Sequence, residues 1–125
     1  MTRPLVLVIA DYFLPGFRAG GPIRAIANSM ARLSSEIAFS VVTRDHDTDG
    51  VRYREVRSGS WNDGAAGPIY YTPRLTQRVL ERCIHESSAD VVWLNSFFSR
   101  ASVRVLLSRR LGRIAEPILL APRGE

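Results

Sequence analysis

The side chains that could do chemistry gather in four short stretches of this chain: Asp11 to Gly21, Thr43 to Asp47, Asn95 to Ser99, and Pro122 to Glu125. In the first, Gly20 and Gly21 stand directly before Pro22 and an amphipathic run. Glycine lets backbone approach a ligand closely, and the N–H groups opening a helix point at an anion with the helix dipole behind them. Gly20 and Gly21 are therefore candidates for approaching a phosphate, the plainer alternative being a tight turn. Arg18 offers a planar fork to the same phosphate, or stays in solvent. Asp11 closes an apolar run and suits a ligand hydroxyl, or caps the turn that follows. Asn95 and Ser96 offer short polar groups for ligand hydroxyls, and local turn capping explains them almost as well. His46 is a polar loop residue or the edge of a cleft, and Arg123 and Gly124 belong to the closing loop.

Several chemistries are excluded outright. The sequence holds no lysine, so no Walker-type phosphate loop exists, and Gly16, Gly20 and Gly21 do not space as G-x-G-x-x-G. Cys83 is the only cysteine, which rules out an internal disulfide and a cysteine-based zinc site. It falls in a helical apolar pattern and reads as an inert core thiol, while His85 reads as a structural or solvated helix residue. No metal site is expected.

The net charge of +5 is carried wholly by arginine. Most arginines fall on the polar sides of expected helices, and no basic cluster interleaves with stacking aromatics, so nucleic acid is not the expected partner. The apolar runs are far shorter than the roughly 20 residues that span a bilayer. Asp11 and Pro15 interrupt the first of them, which does not fit a signal peptide. A cytoplasmic protein is expected, working in solution or at the inner face of the membrane.

The elements that must position these residues follow from periodicity. Leu5 to Ala10 is a continuous apolar run of the kind buried on both faces of a parallel sheet, and Ile37 to Thr43, Ile69 to Tyr71, Val91 to Leu94 and Pro117 to Ala121 read as further strands. Val51 to Val56 alternates weakly, as a short edge strand would. Between the runs lie helical patterns: Pro22 to Ser34 with Ile23, Ile26, Met30 and Leu33 inward; Arg74 to Glu86, capped by Thr72-Pro73; and Ser99 to Leu111 with Val103, Leu106, Leu107 and Leu111 inward. Strands alternating with amphipathic helices predict an α/β, Rossmann-like, doubly wound parallel sheet in three layers with about five core strands. In such sheets ligands bind beyond the carboxyl ends of the strands where strand order reverses. The loops at 11–21, 95–99 and 122–125 converge there. All 125 residues form one domain in this reading, and the absence of a helix after the last strand suggests that a further domain follows.

Three stretches carry a likeness to known proteins. Asp11-Tyr-Phe-Leu-Pro-Gly-Phe-Arg-Ala-Gly-Gly-Pro-Ile-Arg-Ala-Ile26, Val91-Val-Trp-Leu-Asn-Ser-Phe-Phe-Ser99 and Leu120-Ala-Pro-Arg-Gly-Glu125 resemble the family 4 glycosyltransferases of the GT-B fold, most closely the bacterial members that build polysaccharide and lipopolysaccharide. The resemblance implies that the chain is the N-terminal, acceptor-side half of a retaining enzyme. Such an enzyme takes a nucleotide-sugar as co-substrate, needs no further cofactor, and transfers the sugar to a glycan or lipid-linked acceptor. It implies that Gly20 and Gly21 reach the donor diphosphate, and that a C-terminal domain absent from this chain supplies the basic phosphate clamp and an E-x7-E pair. The full-length protein would then be an enzyme, with peripheral membrane association a further expectation, and this half alone would be inactive. The sequence departs from the family at two places where relatives carry histidine: Arg123 follows the fifth strand and Trp93 stands in the fourth. No residue is thereby assigned as a catalytic base. Phe97 and Phe98 read as core or domain-interface residues, or as a stacking surface for a sugar. The rival reading is a non-catalytic, flavodoxin-like module for a phosphate ligand, although the loop after the first strand lacks the hydroxyl-rich character flavin phosphate would need.

Overall fold

A computed structural model describes residues 3–96 and 99–121. Nine elements run in the order β1 (Leu5–Ile9), α1 (Gly21–Leu33), β2 (Ala38–Arg44), β3 (Ser60–Asn62), β4 (Ile69–Thr72), α2 (Gln77–Ser87), β5 (Val91–Leu94), α3 (Arg100–Arg110) and β6 (Ile118–Leu120). The six strands form one sheet ordered β3-β4-β2-β1-β5-β6. All pairings are parallel except β3 against β4. The chain is thus an α/β protein with the expected sheet and β1 inside it, one strand richer than the five read from the apolar runs.

Alternation along the strands divides the core in two. Leu7, Ile9, Val92 and Leu94 face α2 and α3, where Leu80, Cys83, Ile84 and Val105 complete one cluster. Val8, Val41, Ile69 and Tyr71 face α1, which presents Ile23, Ile26 and Met30. This three-layer arrangement explains why the strands read as unbroken apolar runs: each face of the sheet meets a helix layer. Cys83 is fully buried, and burial pushes its thiol up to about 12, so it is the inert thiol expected.

Three expectations need correction. The segment 51–56 forms no strand; its one ladder contact is an isolated bridge between His46 and Arg52. Its backbone is instead drawn to Asp45, whose carbonyl accepts from the Tyr53 N–H. The edge strand lies further on at Ser60–Asn62, antiparallel to β4, where the Trp61 ring packs edge-on against Tyr70 with centroids 5.3 Å apart. Helix α2 begins at Gln77, because Thr76 and not Thr72 is the cap: Thr76 Oγ1 accepts from the Val79 N–H, while Thr72 belongs to β4.

The third correction is the face of α3. Val103, Leu106, Leu107 and Leu111 are 54%, 39%, 47% and 56% exposed, and the helix buries Ala101, Ser102, Val105 and Ser108. Small side chains on the inner face let α3 lie against α2 through polar contacts. The Gln77 amide donates to the Arg104 carbonyl and to Ser108 Oγ, and Ser108 Oγ donates to Glu81. Apolar spacing alone cannot tell such an inner face from an outer one.

Candidate functional site

Strand order reverses between β1 and β5. From β1 the chain moves through α1 to β2 on one side; from β5 it moves through α3 to β6 on the other. The loops leaving these two neighbours diverge, and a cavity of about 380 Å³ opens between them, where an α/β sheet is expected to hold a ligand. Ile9, Ala10, Asp11 and Tyr12 form one wall, Asn95, Ser96, Ser99, Arg100 and Ser102 another, and Ala19, Pro22 and Ile26 the α1 side, with Arg44 at the end of β2.

Asp11 organises the floor. Its Oδ1 accepts from Ser99 Oγ at 3.0 Å and from Arg44 Nη1 at 3.4 Å, and Oδ2 makes no hydrogen bond among the described residues. Ser99 in turn caps α3 by accepting from the Ala101 and Ser102 N–H groups. One carboxylate therefore ties the end of β1 to the start of α3 and to the end of β2. Arg44 also lies over the Tyr12 ring, 5.1 Å from its centroid. Asn95 is buried on the opposite wall and donates to the Ile9 carbonyl at 3.5 Å. A carboxylate, an amide, hydroxyls and an aromatic ring converging on one concavity suit a polyhydroxylated ligand. Ser102, also buried, brings a hydroxyl to the same wall.

The structure brings Asp11, Asn95 and Ser96 together on this cavity; Gly20 and Gly21, between the lining residues Ala19 and Pro22, are not part of its wall, and Arg18 and His46 lie elsewhere. Arg18 points away: its Nε meets Asp49 at 3.0 Å beside a second hollow lined by Phe17, Asp47 and Tyr53. His46 is absent from the cavity wall. Its Nδ1 lies 2.9 Å from Asp45 Oδ1, and its ring stands edge-on behind Tyr12, centroids 6.4 Å apart. Arg123 and Gly124 lie outside the described residues, as do Phe97 and Phe98.

Arg44, Tyr12 and Ser99 are site residues that candidate selection passed over. The signal for Arg44 was its place: as the last residue of a strand beside β1, it sits at the carboxyl edge where ligands bind.

The Gly-rich loop is held from outside the cavity. Asp47 accepts from the Phe17 and Arg18 N–H groups at 3.1 and 3.3 Å and from that of Thr48 at 2.8 Å. Burial alone would raise its carboxyl; the N–H groups of Thr48, Phe17 and Arg18, with the Arg18 guanidinium, hold it below the ordinary aspartate value. Tyr71 Oη donates to the Leu14 carbonyl at 2.7 Å, fixing the loop from β4. Helix α1 then opens at Gly20, which has φ 73° and caps no N–H with a side chain. The position that requires glycine is therefore Gly20. A Cβ at Gly21 would meet nothing within 4 Å, and its φ is not positive. Gly20→Ala should cost about 1–3 kcal/mol of stability, because φ 73° with ψ −127° is a backbone conformation that L side chains rarely adopt. Gly21→Ala should leave the melting temperature unchanged, and thermal melting of the two variants checks the contrast.

Among the described residues no three histidine, cysteine or acidic side chains group to hold a metal ion, and no helix is long and apolar enough to cross a membrane. Comparison with known proteins finds no match of any kind: no family model, no curated protein and no solved structure.

Proposed function

We propose that this chain is the acceptor-side domain of a retaining glycosyltransferase, taking a sugar from a nucleotide-sugar and passing it to a glycan or lipid-linked acceptor. The observation that carries the reading is the cavity between β1 and β5, with Asp11, Asn95, Ser96, Ser99 and Tyr12 on its walls. These groups can hold sugar hydroxyls, and Tyr12 supplies an apolar face beside them. The uncapped start of α1 borders the same cavity through Ala19 and Pro22, so a donor diphosphate near Gly20 and Gly21 would lie next to the acceptor.

In this reading a second domain supplies the other wall and most of the donor contacts. Transfer requires preorganised groups in a site shielded from water, so the chain alone should bind weakly and not turn over. Asp11 would accept a hydrogen bond from an acceptor hydroxyl through Oδ2.

The test is an amide-resolved NMR titration of the chain with hexose oligosaccharides, nucleotide-sugars and flavin mononucleotide. Oligosaccharide shifts centred on Tyr12, Asn95 and Ser96, weakened about tenfold in Asp11→Ala, are expected; a lost charge-assisted hydrogen bond has that size. Flavin mononucleotide binding in the same cavity, with no response to any sugar, would overturn the proposal in favour of a phosphate-ligand module.

A further inference from the structure

Two guanidinium groups, those of Arg44 and Arg100, share the wall of the cavity between β1 and β5 with one carboxylate among the described residues, that of Asp11. Asp11 is already engaged by Arg44 and Ser99 through Oδ1. The charges on the wall do not balance, and the surplus is one positive charge. Arg44 is held from one side only. Its Nη1 lies 3.4 Å from Asp11 Oδ1 and 3.5 Å from the Asp11 carbonyl oxygen, while Nε and Nη2 make no hydrogen bond among the described residues. The Tyr12 ring beside the guanidinium limits how its plane can turn.

Arg100 stands against the local electrostatics. It opens α3, where the helix dipole disfavours a cation, and the first turn holds no acid to offset it. It makes no ion pair among the described residues. Ser102, in the same turn, lines the cavity at 2% exposure, and its hydroxyl makes no hydrogen bond among the described residues. On the α1 side the helix starts at Gly20 with no side-chain cap and no acid in its first turn, so a second positive helix end borders the cavity.

We propose that the cavity takes an acidic sugar, a saccharide unit bearing a carboxylate that Arg44 binds through its Nε and Nη2 edge and Arg100 attracts. The proposal rests on the sugar-acceptor reading above and narrows its substrate class to acidic glycans. Two N–H groups on one planar edge match the two oxygens of a carboxylate. Hydroxyls of the same saccharide have Asn95, Ser102 and Asp11 Oδ2 within the same wall. A neutral sugar would cover the surplus cation and leave it unbalanced, at a cost in desolvation. The other anion at hand is a donor diphosphate, which brings at least two charges. One carboxylate matches the surplus of one.

The experiment is an amide-resolved NMR titration of the whole chain with a hyaluronan tetrasaccharide, and with the same tetrasaccharide after its carboxylates are reduced to alcohols. Shifts centred on Tyr12, Asn95 and Ser96 are expected, with the acidic form bound about tenfold more tightly and the gap narrowing at high salt. Arg44→Gln and, independently, Arg100→Gln should each remove most of that preference, and Arg100→Gln decides alone if Arg44→Gln does not fold. Arg100→Gln should not lower the melting temperature, since it takes a cation away from a helix start. Arg109→Gln, which removes the same charge from the last turn of α3, should keep the preference intact. Equal affinity for the two tetrasaccharides overturns the acidic-sugar assignment and leaves the sugar-acceptor reading standing; no response to either removes both. Uridine diphosphate binding that the two arginine variants weaken, with the acidic tetrasaccharide unaffected, would assign these arginines to the donor and overturn the proposal.

Discussion

Gly67→Ala should abolish the cooperative folding of this chain or lower its stability by about 4 kcal/mol, the range reserved for a direct backbone clash. Gly67 has φ 145°, and a Cβ there would lie 1.8 Å from the Phe39 carbonyl oxygen and 2.9 Å from its carbon. Neither atom can yield. Phe39 belongs to β2, which is hydrogen-bonded to β1 on one side and β4 on the other. The residue after Gly67 ties the same strands together, since the Val41 N–H donates to the Pro68 carbonyl at 3.0 Å. A domain of this size has roughly 5–15 kcal/mol to lose. Chemical denaturation of Gly67→Ala beside Gly21→Ala checks the claim. A midpoint for Gly67→Ala within experimental error of the parent would show that the β3–β4 connection can relax.

Asp45→Ala should cost about 2–3 kcal/mol, the second largest effect expected. Asp45 is 1% exposed and serves three partners: His46 Nδ1 at 2.9 Å, Ser58 Oγ at 2.7 Å and Arg52 Nε at 3.5 Å. Removing it leaves His46 and Ser58 without their hydrogen bonds. The Arg52 guanidinium is exposed and regains water, which keeps the cost below that of a fully buried pair.

The pH dependence follows from the same contacts. Burial pushes the Asp45 carboxyl up, but hydrogen bonds from His46 and Ser58 and the charges of Arg52 and His46 outweigh it, so the folded value lies below the ordinary one. A carboxyl lowered on folding stabilises the protein above its unfolded pKa, near 4, and that stability drains away as pH falls through the folded value. Melting temperature plotted against pH from neutral to acid should therefore fall less steeply in Asp45→Asn than in the parent. Parallel curves would show that this carboxylate is not coupled to folding.

What the sequence disclosed and what it withheld follow one physical distinction. Strands β1, β2, β4 and β5 lie inside the sheet, and β6, with Leu119 exposed at the edge, still carries an apolar run, so all five are visible without knowledge of their neighbours. The three-residue strand Ser60–Asn62 has no such pattern; it exists because Trp61 meets Tyr70 and because β4 offers a free edge. Helix α1 packs by apolar contact, and its stripe of Ile23, Ile26 and Met30 was readable. Helix α3 buries Val105 and Ala101 beside Ser102, Ser108 and the glutamine of α2, an inner face that hydrophobicity ranks below the leucines outside. For the site, the rule that ligands bind at strand carboxyl ends located Asp11, Asn95 and Ser96. It could not show that Asp49 captures Arg18 or that Asp45 captures His46, because both depend on how the loop after β2 folds back.

The pairing of β1 with both β2 and β5 imposes an order on synthesis. β1 leaves the ribosome first, and β2 joins it after some 30 further residues, but its other neighbour ends at Leu94. At ribosomal rates of about 5–20 residues per second, one edge of the earliest strand stays unpaired for roughly four to seventeen seconds. Leu7 and Ile9 spend that interval without α2 and α3 above them. Translation speed over residues 45–94 therefore sets how long a newborn chain of this protein needs shielding, and slowing that stretch should increase its demand for chaperones.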